Sequence, residues 1–590
     1  MKRKLSNIFL AAALTSTVAL TGCDDFLTPD NKSSVTDVDY FATAAGFQSL
    51  VNDTYAQLKD IYNNRNVTIY FNAGTDLYQV GRNTTDDALH RWTGFNADNG
   101  HVKDFYNMCY DAIRSAYSIQ YYAATAQVGD DVKQKAIDEG RFVAALHYYL
   151  LVNNFGGVPL VTEYATTAVS GYPRATAEEV YTHIINELTE IISNGKLKAS
   201  TATAGGGEAS IEAAKALLAK TYLSAAWDLN KNDYFTQAAK YADEVIGGRT
   251  LTTDFAALWA ADRSGDDDAE FIFDLEFDYD TQHDKNAGNW WQNMYSQYMG
   301  GSEDGMKNCG SVYLPRMHTL RCFDEGDKRY AATFMQELLI KGRWEETLSF
   351  INLGDYFGWY GNGNSSRGKL VAIYYPAYWE STPEQVAAWR AEDPENRNGA
   401  IVIPQNDKTA TIVPMSTYYE DLAQSTTGIV EKYDFDDNGT HASSYSCHPC
   451  RKFDDCLTAN YNAGYSFRDL HIITLPEIFL VAAEAYHKAG KDSEAMKRLN
   501  VLRKRAGVPD VTSINIDVIL KESAAEMFGN GCRRMDLRRT QKLVEYNNLY
   551  NSEIKGQADT YIGQKLLWPI PQSAIDANDM LTAEDQNPGY

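Results

Sequence analysis

The sequence predicts a mainly α-helical protein: a scaffold of helical hairpins carrying a loop-rich, short-strand inserted region. Three observations predict it. Apolar residues recur at the 3.6-residue spacing of amphipathic helices over residues 40–250 and again over 470–550. An Ala followed three residues later by a Tyr returns at Ala145/Tyr148, Ala219/Tyr222 and Ala483/Tyr486. Residues 251–467 lose that period and become rich in Gly, Asp, Asn and aromatic side chains.

In chain order, Tyr40 to Tyr62 places Phe47, Leu50, Val51, Tyr55 and Leu58 on one helical face. A Gly/Asn/Asp-rich loop with aromatics follows, from Asn72 through Asp76, Tyr78, Arg82 and Trp92 to Asn96. Helices are expected over Val102–Gln127 and Lys133–Asn153. The next begins at Thr176, where Thr176 and Glu179 form a capping-box pattern ahead of the stripe Val180, Ile184, Leu188 and Ile191. Glu212–Trp227 and Tyr234–Ile246 make a further pair. Near the C-terminus, Ala483, Tyr486, Ala495, Leu499 and Leu502 fall at the spacing of the tetratricopeptide helix-turn-helix, with Gly490 in its turn and Gly507 and Pro509 closing it. One such hairpin cannot bury its apolar face alone, so several should stack. Since they come from both ends of the chain, the expected division is 1–22 signal peptide, 23–250 and 468–590 scaffold, and 251–467 insertion. Within the insertion, Phe271–Phe277 and Ile401–Ile403 read as strands, and Thr382-Pro383 with Gln385 as a helix start.

The helix Ile519–Phe528 stops at Gly529 and Gly531. Arg533 and Asp536 then open another helix, and Arg533, Asp536 and Arg538 read as a buried ion-pair staple rather than a catalytic set. Pro569, Pro571 and Pro588 fix extended backbone.

With 79 acidic against 54 basic residues, the 590-residue chain has a formal charge of −25. Such a chain repels phosphate backbones, which excludes nucleic acid as a partner. Tyr (39) and Trp (10) are abundant, although the mean hydropathy is −0.41. Amphipathic rings in such numbers serve core, interface and sugar contacts alike.

Lys2, Arg3 and Lys4 precede an apolar run, Ile8–Leu20, too short to span a bilayer, which reads as a secretory signal. It ends Leu20-Thr21-Gly22-Cys23 and matches the lipobox of bacterial lipoproteins, so the mature chain should begin at an acylated Cys23 and be held to lipid by acyl chains. Seven further cysteines remain, an odd number. Cys447-His-Pro-Cys450 with Cys456 is open to three readings: a disulfide, a metal site using His441 or His448, or unpaired thiols. An exported setting favours the disulfide. Asp434, Asp436 and Asn438 with Gly439 match the first half of a calcium loop, but Tyr445 stands where a bidentate Glu belongs, which favours a solvated acidic loop. No His-Glu-x-x-His, phosphate loop or G-x-S-x-G elbow appears. Asp278 and Asp280 are strand neighbours that do not flank a bond from opposite sides. The reading is a binder without catalytic residues, cofactor or metal.

Asn530–Arg539 (Asn-Gly-Cys-Arg-Arg-Met-Asp-Leu-Arg-Arg), Trp568-Pro-Ile-Pro-Gln-Ser and the closing Gln-Asn-Pro-Gly-Tyr590 resemble the C-terminal signature of the SusD/RagB family, surface glycan-binding lipoproteins of Bacteroidetes. The family pattern E-L-x-x-E-G-x-R-x-x-D-L-x-R is met at Glu526, Gly531, Arg533, Asp536, Leu537 and Arg539 and departs at Asn530, where a second Glu is usual. Phe155-Gly-Gly-Val-Pro-Leu160, Pro173–Tyr181 and Arg468-Asp469 are similar to the family as well.

The resemblance implies a shallow arc of aromatics for sugar. The first loop offers Asp76, Tyr78, Arg82, Trp92 and Asn96; the middle offers Trp290, Trp291, Tyr295, Tyr298, Trp359 and Tyr360. Ring faces suit the C–H faces of pyranoses, and polar neighbours take the hydroxyls. It also implies an outer-membrane position with the chain exposed at the cell surface, for which Asp24 and Asp25 resemble an export tag. The implied partner is a TonB-dependent transporter of the SusC type, with this protein as its lid. The competing reading is a tetratricopeptide-type surface adaptor that binds peptide or protein and no carbohydrate.

Overall fold

A computed structural model describes residues 37–590 apart from 81–86, 202–205, 278–287, 296–309, 341–369, 403–449, 458–465 and a few single positions. Cys23, Arg82, Tyr298, Trp359, Tyr360, Asp434, Asp436 and Asn438 lie outside the described residues, as do Cys447 and Cys456.

The scaffold is a run of antiparallel helices. The first region, expected as one helix, is three: Asp37–Ala42, α1 (Ala44–Ala56) and Leu58–Tyr62. Thr43 makes the break, its hydroxyl accepting the Gly46 N–H at 3.0 Å as an N-cap. α2 (Gly100–Ala123) starts on the Asn99 cap, and α3 (Asp130–Phe155) packs against it. α4 (Ala177–Asn194) carries the capping box between Thr176 and Glu179 that the sequence predicts. It buries Val180, Ile184, Leu188 and Ile191. α5 (Ile211–Asp228) and α6 (Asn232–Ile246) form the next hairpin. α6 then packs on α7 (Leu475–Lys488), which pairs with α8 (Asp492–Ala506). The stack therefore runs from the N-terminal half into the C-terminal half although more than two hundred residues separate them in sequence. Gly490 (φ +73) turns α7 into α8 and Gly507 (φ +78) closes α8, both in the left-handed region that favours glycine. α9 (Ile516–Glu526) and the short α10 (Arg533–Arg539) complete it.

Strands are short and join distant parts of the chain. β1 (Tyr78–Val80) pairs antiparallel with residues 313–315, Tyr78 opposite Pro315. β2 (Phe271–Leu275) runs antiparallel to the strand that leads into α7, Phe271 opposite Thr474 and Leu275 opposite Leu470. With β3 (Tyr313–Pro315) already placed, β4 (Glu337–Ile340), β5 (Leu370–Tyr374) and β6 (Ile401–Val402) form a small sheet, β5 antiparallel to β4 and parallel to β6. Tyr374 of this sheet stacks on Trp389 at 3.9 Å. Trp389 belongs to the helix Pro383–Glu392, which opens on a Thr382/Gln385 capping box. β7 (Leu470–Thr474) is the strand ahead of α7.

Buried ion pairs pin the middle of the chain to the scaffold. Glu270 receives Arg505 of α8 at 2.7 and 2.8 Å, and Arg505 also reaches Glu526 of α9. Arg329 binds Glu522 and Glu526 at 2.7 and 2.9 Å. Lys452 donates to the carbonyls of Glu526 and Phe528 and, at 2.7 Å, to Asn530 Oδ1. Asn530, the departure from the family pattern, thus serves this ammonium through an amide oxygen. The C-terminal tail returns to the first hairpins: Trp568 packs its ring edge-on against Phe105 and Phe155, and its backbone N–H donates to Asn154 O at 2.7 Å. Asn587 donates to Phe155 O and Trp568 O. Among the described residues no helix is long and apolar enough to cross a membrane.

Candidate functional site

Five residues that sequence reasoning assigned to sugar face the interior. Asp76, at the turn before β1, has no exposed surface. Its carboxylate takes Arg533 Nε at 3.0 Å and Nη2 at 2.7 Å, and His318 Nε2 lies 3.2 Å away. Burial alone would raise the Asp76 carboxyl, but Arg533 and His318 override it and hold it well below the usual carboxylate range. Tyr78, Trp291 and Tyr295 come together around Phe528 and Phe453, with ring centroids 5.1 to 6.3 Å apart. The Tyr78 hydroxyl accepts from Gly529 N, the Tyr295 hydroxyl accepts from Asn72 Nδ2, and Trp291 Nε1 donates to Tyr62 O. Rings enclosed on all sides and hydrogen-bonded at their polar tips are core.

Trp92, also enclosed, adopts φ 59, a left-handed backbone that costs a bulky residue on the order of 1–3 kcal/mol. It is held there because its indole N–H donates to Gly74 O at 3.2 Å. Gly74 (φ +66) admits it: a Cβ at that position would run into the Trp92 indole nitrogen. This seat presents Thr93, Gly94 and Asn96 to solvent. Asn96 Oδ1 accepts the Asp98 N–H in a tight turn. Trp290 is half-buried, its body against the main core.

The staple is spread over three separate places. Arg533 pairs with Asp76. Arg538 binds Asp228 of α5 at 2.9 and 3.0 Å. Asp536 is held by Arg539, which also binds Glu484 of α7 at 3.0 and 2.8 Å. Arg539, outside the expected set, is therefore the partner of Asp536.

One group that sequence reasoning missed lies open. The Tyr550 ring stacks on the His318 imidazole at 3.6 Å and 9° while remaining 37% exposed. Burial alone would lower the His318 imidazole, yet the Cys322 thiol and Asp76 outweigh it and raise it to about 9, so a cation lies beneath the ring. Tyr546 meets Tyr550 edge-on and donates its hydroxyl to Asp517 at 2.9 Å; Lys542 binds Asp517 and Glu545 beside it. Glu553 gathers Arg316 at 2.7 Å and Arg91 at 3.4 Å, which ties the base of the loop bearing Trp92 and Asn96 to this C-terminal segment. Lys565 and Gln572 bond the loop's carbonyls at Phe95 and Ala97. The result is an open ring face flanked by carboxylates and an amine, next to a rigid polar loop. Its sequence signal was weak, a polar and aromatic run at Tyr546–Asn551 with no period.

Cys322 Sγ sits 3.7 Å from His318 Nε2, the same nitrogen that faces Asp76. A thiol–imidazole–carboxylate relay needs the two ring nitrogens to serve different partners, so this contact is not a nucleophilic triad. Cys109, Cys322 and Cys532 are free thiols. Among the described residues no three His, Cys, Asp or Glu side chains are grouped to hold a metal. A groove of about 580 Å³ lies between α1 and the start of α3. Its Glu139 and Glu208 are already bridged by Lys135, and its Phe47 ring is buried.

A model of the SusD family matches residues 257–590, and a second, described as "Starch-binding associating with outer membrane", matches residues 25–223. The starch-binding protein SusD of Bacteroides thetaiotaomicron is 26% identical over 467 residues, 78% of this chain and 73% of that protein. Among solved structures, a SusD homologue from Bacteroides thetaiotaomicron has a TM-score of 0.67 at 19% identity, covering 94% of this chain and 98% of its own. A laminarin-binding SusD-like protein gives 0.63 at 20% identity over 93% and 100%. Surface glycan-binding protein A from Bacteroides thetaiotaomicron, in complex with laminarihexaose, gives 0.59 at 19% over 92% and 99%. At these identities the structural likeness is one of fold. With a single family model spanning more than half of its length, and a helical-hairpin scaffold shared with such structures, the chain belongs to the SusD family.

Proposed function

We propose that this protein is a surface-exposed lipoprotein of the outer membrane, anchored through Cys23. In this reading it captures oligosaccharide or polysaccharide and delivers it to a TonB-dependent transporter of the SusC type. Family membership and a curated relative named for starch binding support the ligand class. The observation that carries the site is the open face of Tyr550, backed by a charged imidazole that the Asp76–Arg533 pair holds in place. A pyranose lays its C–H face on such a ring, while Asp517, Lys542 and the Asn96 amide reach its hydroxyls. Trp290 contributes a second ring, and Arg82, Tyr298, Trp359 and Tyr360 belong to the same proposed contact set. Asp76, Tyr78, Trp92, Trp291 and Tyr295 act from beneath, as the rigid base. Capture needs no bond-breaking group, and none is assigned.

The test is calorimetry and affinity electrophoresis on a panel of polysaccharides, with Tyr550→Ala and Trp290→Ala. Loss of affinity of about tenfold or more in either variant, at unchanged thermal stability, supports the reading. No carbohydrate binding by the parent chain across the panel would replace it with a protein-binding adaptor.

A further inference from the structure

We infer that the aromatic corner formed by Tyr40, Phe41, Tyr121 and Tyr164 is a membrane-contact surface, resting on the polar–apolar boundary of a lipid leaflet. The inference builds on the proposed acylation of Cys23. The described chain opens with the helix Asp37–Ala42, where Val38 is 49% and Tyr40 46% exposed; Tyr121, at the end of α2, is 44% exposed. These rings form one connected set. Tyr40 meets Phe41 at 5.3 Å, Phe41 meets Tyr122 at 4.6 Å, and Tyr164 meets Tyr121 and Tyr122 at 5.3 and 5.9 Å. Tyr122 closes the set down onto Phe47, Leu50 and Ala136, an apolar cluster separate from the main core. The corner is thus firmly based, with its outermost rings turned to the exterior. The Gln127 N–H donates to Ala42 O at 2.7 Å and locks the opening helix against the end of α2.

Chain length limits which surface can meet lipid. Even fully extended, the roughly 14 residues from Cys23 to Asp37 reach no more than about 50 Å. A compact chain of this size measures on the order of 60 Å across. An acyl anchor therefore cannot leave the side carrying Asp37 facing away from the membrane, and that side carries the Tyr corner. Tyrosine suits this place because its ring enters the acyl boundary while its hydroxyl stays among the head groups.

The charges carried by the corner's own segments set the lipid preference. Asp37 and Asp39 lie on its helix, Asp37 within electrostatic reach of Tyr122, and Glu163 adjoins Tyr164 in the chain. Residues 37–42 and 118–128 contain no Lys or Arg. Contact is therefore made by ring burial, and anionic lipid is repelled.

The full acylated chain is reconstituted in phosphatidylcholine vesicles, and hydrogen exchange over 37–42 and 118–128 is compared with that of the unacylated Cys23→Ala chain. About tenfold slowing is expected on vesicles, lost in Tyr40→Ser/Tyr121→Ser, kept in Tyr40→Trp/Tyr121→Trp, and weaker when phosphatidylglycerol replaces phosphatidylcholine. Mass spectrometry of the N-terminal peptide reports acylation separately, so a missing anchor is distinguished from an uninvolved corner. Equal exchange with and without vesicles in a chain of proven acylation overturns the inference. Slowing that appears only when the transporter is added overturns it too, and assigns the corner to protein.

Discussion

Asp76 is the residue at which a binding role and an architectural role make opposite predictions. Its two oxygens are occupied by Arg533 Nε at 3.0 Å and Nη2 at 2.7 Å, with His318 against the second, and neither Asp76 nor Arg533 is more than 3% exposed. Asp76→Ala leaves a guanidinium and a charged imidazole buried without their counter-ion, and losing one partner of such a pair costs about 3–5 kcal/mol. Arg533 keeps one bond, Nη1 to Leu520 O at 2.8 Å, so the loss falls at the lower end of that range. Removing Asp76 and Arg533 together, in Asp76→Ala/Arg533→Met, deletes the uncompensated guanidinium and leaves only the His318 imidazole, which can lose its proton. The double variant should therefore be more stable than Asp76→Ala by about 1–3 kcal/mol, whereas independent residues would make it less stable than either single variant. Urea denaturation of the parent, Asp76→Ala, Arg533→Met and the double variant, followed by far-ultraviolet circular dichroism and by tryptophan fluorescence, gives the four free energies of the cycle, and coincident curves license the comparison. Strict additivity would refute the staple. So would an Asp76→Ala chain of parental stability that has lost its glycan, since that is the behaviour of a residue touching sugar.

Trp92→Ala should cost about 3–5 kcal/mol in the same urea assay, because it empties a fully enclosed site; Tyr550→Ala should change stability by less than about 1 kcal/mol while weakening glycan binding. Burial lowers Lys452 to about 7, below the unfolded lysine value of about 10.4, so the unfolded chain holds more protons between these limits and this residue's share of stability rises with pH. Lys452→Met should therefore gain most over the parent chain below pH 7, and the gain should shrink towards pH 10. His318, raised to about 9 from an unfolded value of about 6.5, stabilises below pH 6.5 and loses that contribution as pH climbs through 9. His318→Gln should accordingly cost most at pH 6 and least above pH 9. Urea midpoints from pH 6 to 10 check both signs.

What the sequence made legible was local. The Thr176/Glu179 box, the Thr382-Pro383 start, the Gly490 turn and the Gly507 stop each act within one helical turn, and the helices begin and end at them. Aromatic placement follows a different logic. On a strand, Trp290 and Trp291 would face opposite sides, but they stand at the start of the helix Trp291–Tyr295, where neighbours are about 100° apart. One ring turns fully into the core and the other stays half out. Which of the two faces inward is decided by Tyr62 O, which takes the Trp291 indole N–H from 229 positions away. Asp76 is the same case at longer range: a loop carboxylate among aromatics looks like a sugar contact until Arg533 arrives from 457 positions along the chain. Tyr550 is the converse. Its own run shows no pattern, and it acquires an open, charge-backed face only because β1 and β3 carry Asp76 and His318 to it. Ring count and charge therefore leave core, interface and sugar contacts equally open, and the choice between core and surface for each ring rests on partners that periodicity cannot reach.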